Sequence, residues 1–105
     1  MTDPVTIYLL IKAVAALIAI ALIVALLTYE EIVNWFVQHS ELKESDKNNL
    51  AFTLQEKLEN GHYKTVQGIF NPRTNEILDG RGIESNSIDA KLAAVHAIEA
   101  LAIYS

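Results

Sequence analysis

A long apolar segment near the N-terminus constrains this chain more than any other feature. Residues Ile7 to Leu27 have the sequence IYLLIKAVAALIAIALIVALL, in which Lys12 is the one charged residue. A helix rises 1.5 Å per residue, so about 20 apolar residues cross the ~30 Å hydrocarbon layer of a bilayer. A helix also satisfies its own backbone hydrogen bonds there. The segment therefore predicts a membrane-spanning helix, with the lipid bilayer as the first partner of the chain.

Two alternatives to a retained membrane helix have to be weighed. A helix of a soluble bundle shows a polar face at the 3.6-residue period, whereas the 15 residues from Ala13 to Leu27 carry no polar side chain. A cleaved signal peptide has a basic N-terminal region, but Asp3 precedes the segment and no Lys or Arg comes before Lys12. Both comparisons favour an anchor, and so a single-pass membrane protein.

Five residues of this segment are candidates for packing against other membrane helices. Ala15 and Ala19 are four residues apart, as are Ala21 and Ala25, and small residues at this spacing let helices approach closely. Lys12 lies about two helical turns into the span. Its ammonium group either extends back to the lipid headgroups or contacts an acidic group of another subunit. Other membrane subunits, or further copies of this chain, are the expected partners.

Length and charge limit the size and the partners of the region after the anchor. The chain has 105 residues, a formal net charge of −5 and no cysteine. We expect an anchor with a helical extension, residues 1–39, and one small domain, residues 40–105. The negative charge argues against binding to a nucleic-acid duplex, because phosphate contacts need a basic surface. Small exported domains often use disulfides, so the absence of cysteine favours a cytoplasmic location for the domain.

The spacing of apolar residues predicts two helices after the span. No proline or glycine occurs from Val5 to Asn60, so the first helix is expected to continue through residues 28–39 as a stalk. A second helix is predicted over 46–59, where leucines 50, 54 and 58 recur every four residues and Asn60 and Gly61 come next as a terminator.

A change of pattern predicts a β-hairpin and then a final helix. Residues 62–70 and 73–84 contain β-forming runs, and residues 71–75 supply turn chemistry between them. Residues 88–104 form the final predicted helix, which is more apolar than a ~60-residue domain can usually cover. The predicted fold class is thus a single-span membrane protein: an N-terminal transmembrane helix extended into a stalk, then a small α+β domain of helix, hairpin and helix.

The sequence contains no motif for catalysis, a metal ion or a cofactor. His39, His62 and His96 lie in different predicted elements, without the HExxH spacing. The glycines around Arg81 match neither the GxGxxG nor the GxxxxGK[ST] pattern. We therefore expect no catalytic residue, no metal site, no cofactor and no enzymatic activity.

Basic side chains do gather in the predicted hairpin. His62, Lys64, Arg73 and Arg81 all belong to it or to its ends. In an acidic protein they are candidates for binding a small anionic ligand. The alternative is that they are solvated residues that protect a strand edge from aggregation.

Two classes of function remain. The first is a membrane-anchored accessory or adaptor protein that acts by protein–protein binding through its α+β domain. The alternative is a self-assembling, ligand-responsive homo-oligomeric effector or channel in which that domain is the sensor. The missing catalytic chemistry disfavours a third class, the membrane-bound enzyme.

Overall fold

The apolar segment divides into two elements of different type. The computed structural model describes residues 4–104, and in it helix α1, Pro4–Ala15, is followed by strand β1, Ile20–Leu27. Within the described residues no helix has the length and apolar character needed to cross a bilayer. The predicted transmembrane helix is therefore wrong, and so are the single-span fold class and the membrane localisation that depended on it.

The division has a physical reason in the residues themselves. A run with no polar residue does not by itself distinguish a helix from a strand, because it shows neither period. Ile20, Ile23 and Val24 are β-branched, which favours the extended backbone of a strand. Backbone hydrogen bonds from Leu17 N to Val14 O (3.1 Å) and from Ile18 N to Ala15 O (3.0 Å) close α1 with a tight turn.

The chain forms one five-stranded sheet with helices on both faces. Across the sheet the strands are in the order β1-β4-β3-β2-β5. Strand β1 runs parallel to β4, and the other neighbouring strands are antiparallel. The remaining elements are α2, Tyr29–Gln38; α3, Ser40–Glu44; β2, Leu50–Lys57; β3, Tyr63–Asn71; β4, Glu76–Ile88; α4, Ala90–Val95; and β5, Leu101–Tyr104. Residues on both sides of the predicted boundary at 39/40 thus contribute strands to this sheet.

The predicted stalk is helix α2, but it does not continue from α1. The backbone of Thr28 is extended (φ −105°), and its hydroxyl accepts a 3.1 Å hydrogen bond from the backbone N–H of Glu31. Thr28 is therefore an N-cap, which starts a new helix immediately after strand β1.

The helix predicted over 46–59 is largely a strand, β2. Residues four apart lie on one face of a helix, but they also lie on one face of a strand, whose side chains alternate with a period of two. The spacing of Leu50, Leu54 and Leu58 therefore fits both structures. Antiparallel pairing with β3, for example Leu54 opposite Val66, selects the strand.

The final helix is much shorter than predicted. Helix α4 has 6 residues, and the chain returns to the sheet as β5 beside β2. The N-cap of α4 is Asp89, whose carboxylate accepts from the backbone N–H of Leu92 at 2.9 Å. The same carboxylate accepts from the N–H of Tyr29 at 3.2 Å, at the first residue of α2. One side chain thus fixes the starts of both helices on the same side of the sheet.

Two apolar clusters hold the layers together. On one face, α1 packs Ile11 and Ala15 against Phe52, Val66 and Phe70 of β2 and β3. On the other face, the cluster consists of Leu27, Ile32, Ile83 and Leu92, which brings α2 and α4 onto the sheet. The segment predicted to lie in a membrane therefore supplies part of both clusters.

Replacing Gly82 tests the packing of the apolar segment on β4. A Cβ at residue 82 would lie 2.5 Å from the backbone oxygen of Ala19, where the chain enters β1. We expect Gly82→Ala to lower the free energy of unfolding by roughly 1–3 kcal/mol, as overpacking does. Urea denaturation measures it, with exposed Asn86→Ala on the same strand as control. Equal midpoints for the two variants would show that this segment does not lie against β4.

Replacing Phe70 tests the cluster beneath α1. Phe70 is fully buried there, so Phe70→Ala should lower the free energy of unfolding by about 3–5 kcal/mol through lost burial and a cavity. The control is Ile98→Ala, since Ile98 is 95% exposed, and it should change stability by less than about 0.5 kcal/mol. If Phe70→Ala were as mild as the control, α1 would not cover this part of the sheet.

Candidate functional site

Strand β1 is an open edge of the sheet. It has β4 on one side and, among the described residues, no strand on the other. Its sequence is IALIVALL, without a polar or charged side chain. The backbone N–H and C=O groups of alternate residues, which point away from β4, are free to pair with another strand.

The side chains of β1 also leave much apolar surface uncovered. The exposed fractions are 85% for Leu17 in the preceding turn, 37% for Ile20, 40% for Leu22, 69% for Ile23 and 47% for Leu26. We call these five residues the edge patch. Exposed apolar side chains concentrated along one edge in this way are typical of a protein-binding site.

A polar bridge fixes helix α2 over the strand next to β1. Gln67 is fully buried, and its Nε2 donates to the backbone oxygen of Ile32 in α2 at 2.7 Å. Its Oε1 accepts from Arg81 Nε at 2.9 Å. Both ends of the amide are thus satisfied, so its burial is not penalised, and α2 is tied to β3 and β4 close to the edge patch.

Aromatic rings extend this bridge along α2. The guanidinium carbon of Arg81 lies 5.8 Å from the centre of the Trp35 ring, and Trp35 stacks on His39 with ring centres 3.8 Å apart. His39 Nδ1 lies 2.7 Å from the Trp35 carbonyl oxygen, and its Nε2 lies 3.2 Å from Asp79 Oδ2. Burial lowers the pKa of the Arg81 guanidinium. These contacts hold α2 on the sheet, because each of the polar groups contacts another residue of the chain.

A second polar chain lies beneath α4. Thr53 Oγ1 is 2.8 Å from His96 Nε2 and 2.7 Å from the hydroxyl of Tyr104, while His96 Nδ1 is 3.2 Å from the backbone oxygen of Glu99. A carbonyl oxygen only accepts, so Nδ1 carries a proton, and the neutral ring then accepts from the Thr53 hydroxyl through Nε2. Burial lowers the pKa of His96 and raises that of Tyr104. Thr53 is fully buried and His96 is half-buried, so the Thr53 hydroxyl faces the protein interior and serves to hold His96 and Tyr104 in place.

The structure places the four residues of the predicted anion site in separate surroundings. Nδ1 of His62 is 2.8 Å from a carboxylate oxygen of Glu84. Lys64 faces α1, whereas Arg81 lies on the opposite face beneath α2. Arg73, in the turn after β3, pairs with a carboxylate two elements earlier in the chain. His62 and Lys64 thus lie near each other beside Glu84, but the four are not brought together on one surface, and binding of an anion by any of them stays a prediction.

The carboxylate that holds Arg73 is Asp46. Nε of Arg73 donates to Asp46 Oδ2 at 3.0 Å. The backbone N–H of Asn48, followed by the side chains of Arg73 and Asn71, lowers the pKa of Asp46 to about 2. This ion pair therefore closes the β3–β4 turn onto the loop before β2, which is a structural role.

The residues predicted to pack in a membrane do not share a helix face. Ala15 is buried in the cluster beneath α1, and Ala19 lies in the turn against Gly82. Ala21 and Ala25 are on the exposed strand β1. Lys12 is exposed on α1, with its ammonium 5.9 Å from the ring centre of Tyr8.

Neither comparison with known proteins nor a search for metal-site geometry assigns a function to this chain. Comparison of the chain with protein-family models, with curated proteins and with solved structures finds no match. Residues 4–104 contain no group of three or more histidine, aspartate or glutamate side chains placed to hold a metal ion. The edge patch remains the most distinctive surface of the described chain.

Protonation of His96 should loosen α4 and β5. Because burial lowers the pKa of His96 below its ordinary 6.5, the folded protein binds fewer protons than the unfolded chain. Its contribution to stability is complete above pH 6.5 and is lost as the pH falls toward the folded pKa. His96→Gln retains an acceptor for the Thr53 hydroxyl but does not titrate.

Urea denaturation at two pH values measures this difference. Between about pH 7.5 and about pH 5.5 the wild type should lose more unfolding free energy than His96→Gln does. The difference between the two proteins removes the contributions of the other titrating groups. Equal losses of unfolding free energy in the wild type and in His96→Gln would mean that burial does not lower the pKa of His96.

Proposed function

We propose that this chain is a protein-binding module without chemistry of its own, and that it associates with a second copy of itself through the edge of β1. One observation carries the proposal: a strand of 8 residues with no polar side chain lies at an open sheet edge. The proposal keeps the protein–protein binding expected from the sequence and assigns it to the edge of β1.

The limited protection of the β1 edge supports binding there. Proteins usually shield an edge strand with charges, a proline, a bulge or a very short strand. The other edge of this sheet, β5, has 4 residues. Strand β1 has twice that length and carries neither charge nor proline, and its one irregularity in the pairing with β4 lies at its start, between Ile20 and Leu22. An exposed apolar edge of this length is a site at which another strand can pair.

The composition of β1 favours a second copy over an unrelated strand. Two β1 strands placed antiparallel about a twofold axis bring the same surface of each copy together, as in most homodimers. Because β1 has no charge, no like charges would meet across the axis. The sheets would then join into one ten-stranded sheet, with the edge patches of the two copies against each other.

The exposed area permits a weak dimer. At their exposed fractions, the five edge-patch side chains present roughly 500 Å² of apolar surface per copy, so the pair would bury at most about 1,000 Å², the size of a weak or transient interface. Pairing of the backbone edges adds hydrogen bonds to this apolar contact. We therefore expect an association in the micromolar range rather than an obligate dimer.

Ile23→Lys tests the interface. Ile23 is 69% exposed, so the monomer should fold as before, whereas a dimer would lose apolar contact and bring two positive charges near the axis. Sedimentation velocity across micromolar concentrations should show a monomer–dimer equilibrium for the wild type and a monomer for Ile23→Lys.

The matched control is Ile98→Lys. Ile98 is 95% exposed and precedes β5, at the other end of the strand order, so this variant should dimerise like the wild type. A wild-type protein that remains monomeric would refute pairing with a second copy. Loss of the dimer in both variants would place the interface outside β1.

A further inference from the structure

An apolar groove lies on the α1 side of the β5 edge, away from the edge patch. Its volume is about 830 Å³. The apolar residues that line it come from α1, β2, β5 and the loop before β5: Val5, Ile7, Leu50, Ile98, Leu101 and Ile103. Pockets for small ligands have volumes of about 300–1,000 Å³ and mainly apolar walls. The groove therefore has the size and surface of a ligand site.

A smaller cleft with two lysines in its wall adjoins this groove. The cleft has a volume of about 190 Å³, and Tyr8 and Ala100 line both spaces. Lys12 of α1 and Lys64 of β3 contribute the positive charges of the cleft. The combined site thus changes from apolar walls at one end to two ammonium groups at the other.

The two ammonium groups are available to a ligand. In the part of the chain that the structure describes, neither Lys12 nor Lys64 has a carboxylate oxygen within salt-bridge distance. Glu84, which lies opposite Lys64 in the β3–β4 register, is 2.8 Å from His62 instead. Bringing an anion to this cleft would therefore not require an existing ion pair to break.

Three acidic residues near the site oppose an anion. Glu56 lines the cleft and lies opposite Lys64 in the β2–β3 register, Glu99 lines the groove, and Glu84 lies opposite Lys64 in the β3–β4 register. Glu56 and Glu99 are exposed, so water screens their charge, and Glu84 is held by His62. Their presence predicts that removing the Glu56 charge strengthens the binding of an anion.

We propose that groove and cleft together bind a long-chain fatty acid, with its alkyl chain along the groove and its carboxylate between Lys12 and Lys64. Burial of the alkyl chain supplies most of the affinity. Charge-assisted hydrogen bonds from the lysines, with the Tyr8 hydroxyl nearby as a further donor, select the carboxylate. This site is independent of the proposed dimer, because β1 and β5 are the two opposite edges of the sheet.

Titration calorimetry of the full chain with three twelve-carbon probes tests the proposal. The probes are dodecanoate, dodecanol and dodecyltrimethylammonium, each kept below its micelle concentration. Dodecanoate should bind about tenfold more tightly than dodecanol, the difference expected for a hydrogen-bonded charge. The cationic probe should bind more weakly than dodecanol.

Lysine variants identify the carboxylate end. Lys12→Gln with Lys64→Gln should remove the preference for dodecanoate over dodecanol and leave the affinity for dodecanol unchanged. Lys47→Gln, which removes the same charge in the loop before β2, is the control and should retain the preference. Glu56→Gln should bind dodecanoate more tightly than the wild type.

Two variants identify the alkyl end. Ile103 is 48% exposed and Ile98 is 95% exposed, so Ile103→Asp and Ile98→Asp should both fold, which urea denaturation checks, and both should lose all three probes. Equal affinity of the wild type for dodecanoate and dodecanol, or retention of the preference in the double lysine variant, would overturn the proposal. Binding of no probe at all would overturn it as well, without bearing on the dimer through β1.

Discussion

The parallel pairing of β1 with β4 is the interaction on which the rest of the structure depends. It runs from Ile20 opposite Gly82 to Leu27 opposite Ile88. Helix α1 precedes β1 and helix α2 comes directly after it, so fixing this strand places one helix on each face of the sheet. Both apolar clusters then form, one beneath each helix. The same pairing uses only one edge of β1, and the proposed binding surface is the edge that it leaves open.

The turn residues 71–75 were sufficient to predict the hairpin. The fold of the apolar segment, in contrast, depends on residues far away in the chain. The turn at residues 71–75 joins two antiparallel strands, as its Asn and Pro residues indicate. The segment from Ala13 to Leu27 has no polar residue to mark a face, so its own pattern cannot separate a membrane helix from a helix followed by a strand. That choice depends on pairing with β4, which comes about 60 residues later in the chain. Gly82 of β4 has no Cβ, so the backbone of Ala19 can lie close to it.

One extra residue in strand β4 prevents the sequence from predicting the polar contacts beneath α2. In the hairpin, Phe70 lies opposite Ile77 but Ile69 lies opposite Asp79, so Leu78 is a bulge. The bulge brings Arg81 opposite Gln67, a pairing that regular counting from the turn would miss by one residue. Trp35 and His39 are four apart on α2, a spacing that does predict contact along a helix. The identity of the strand beneath them could not be predicted from the sequence, because it depends on the register of the distant hairpin.

The double role of the Asp89 carboxylate has a consequence for the order of folding. It caps α4 within its own segment, but it caps α2 across 60 residues of intervening chain. The backbone N–H of Asp89 also donates to the carbonyl oxygen of Leu27 at 3.1 Å. Helix α2 has a local cap in Thr28, but it gains this second one only after the hairpin has formed and β1 has joined β4, a closure between distant parts of the chain that is entropically costly and slow. The amide proton of Tyr29 should accordingly exchange with solvent only when the whole sheet opens, not when the helix end frays.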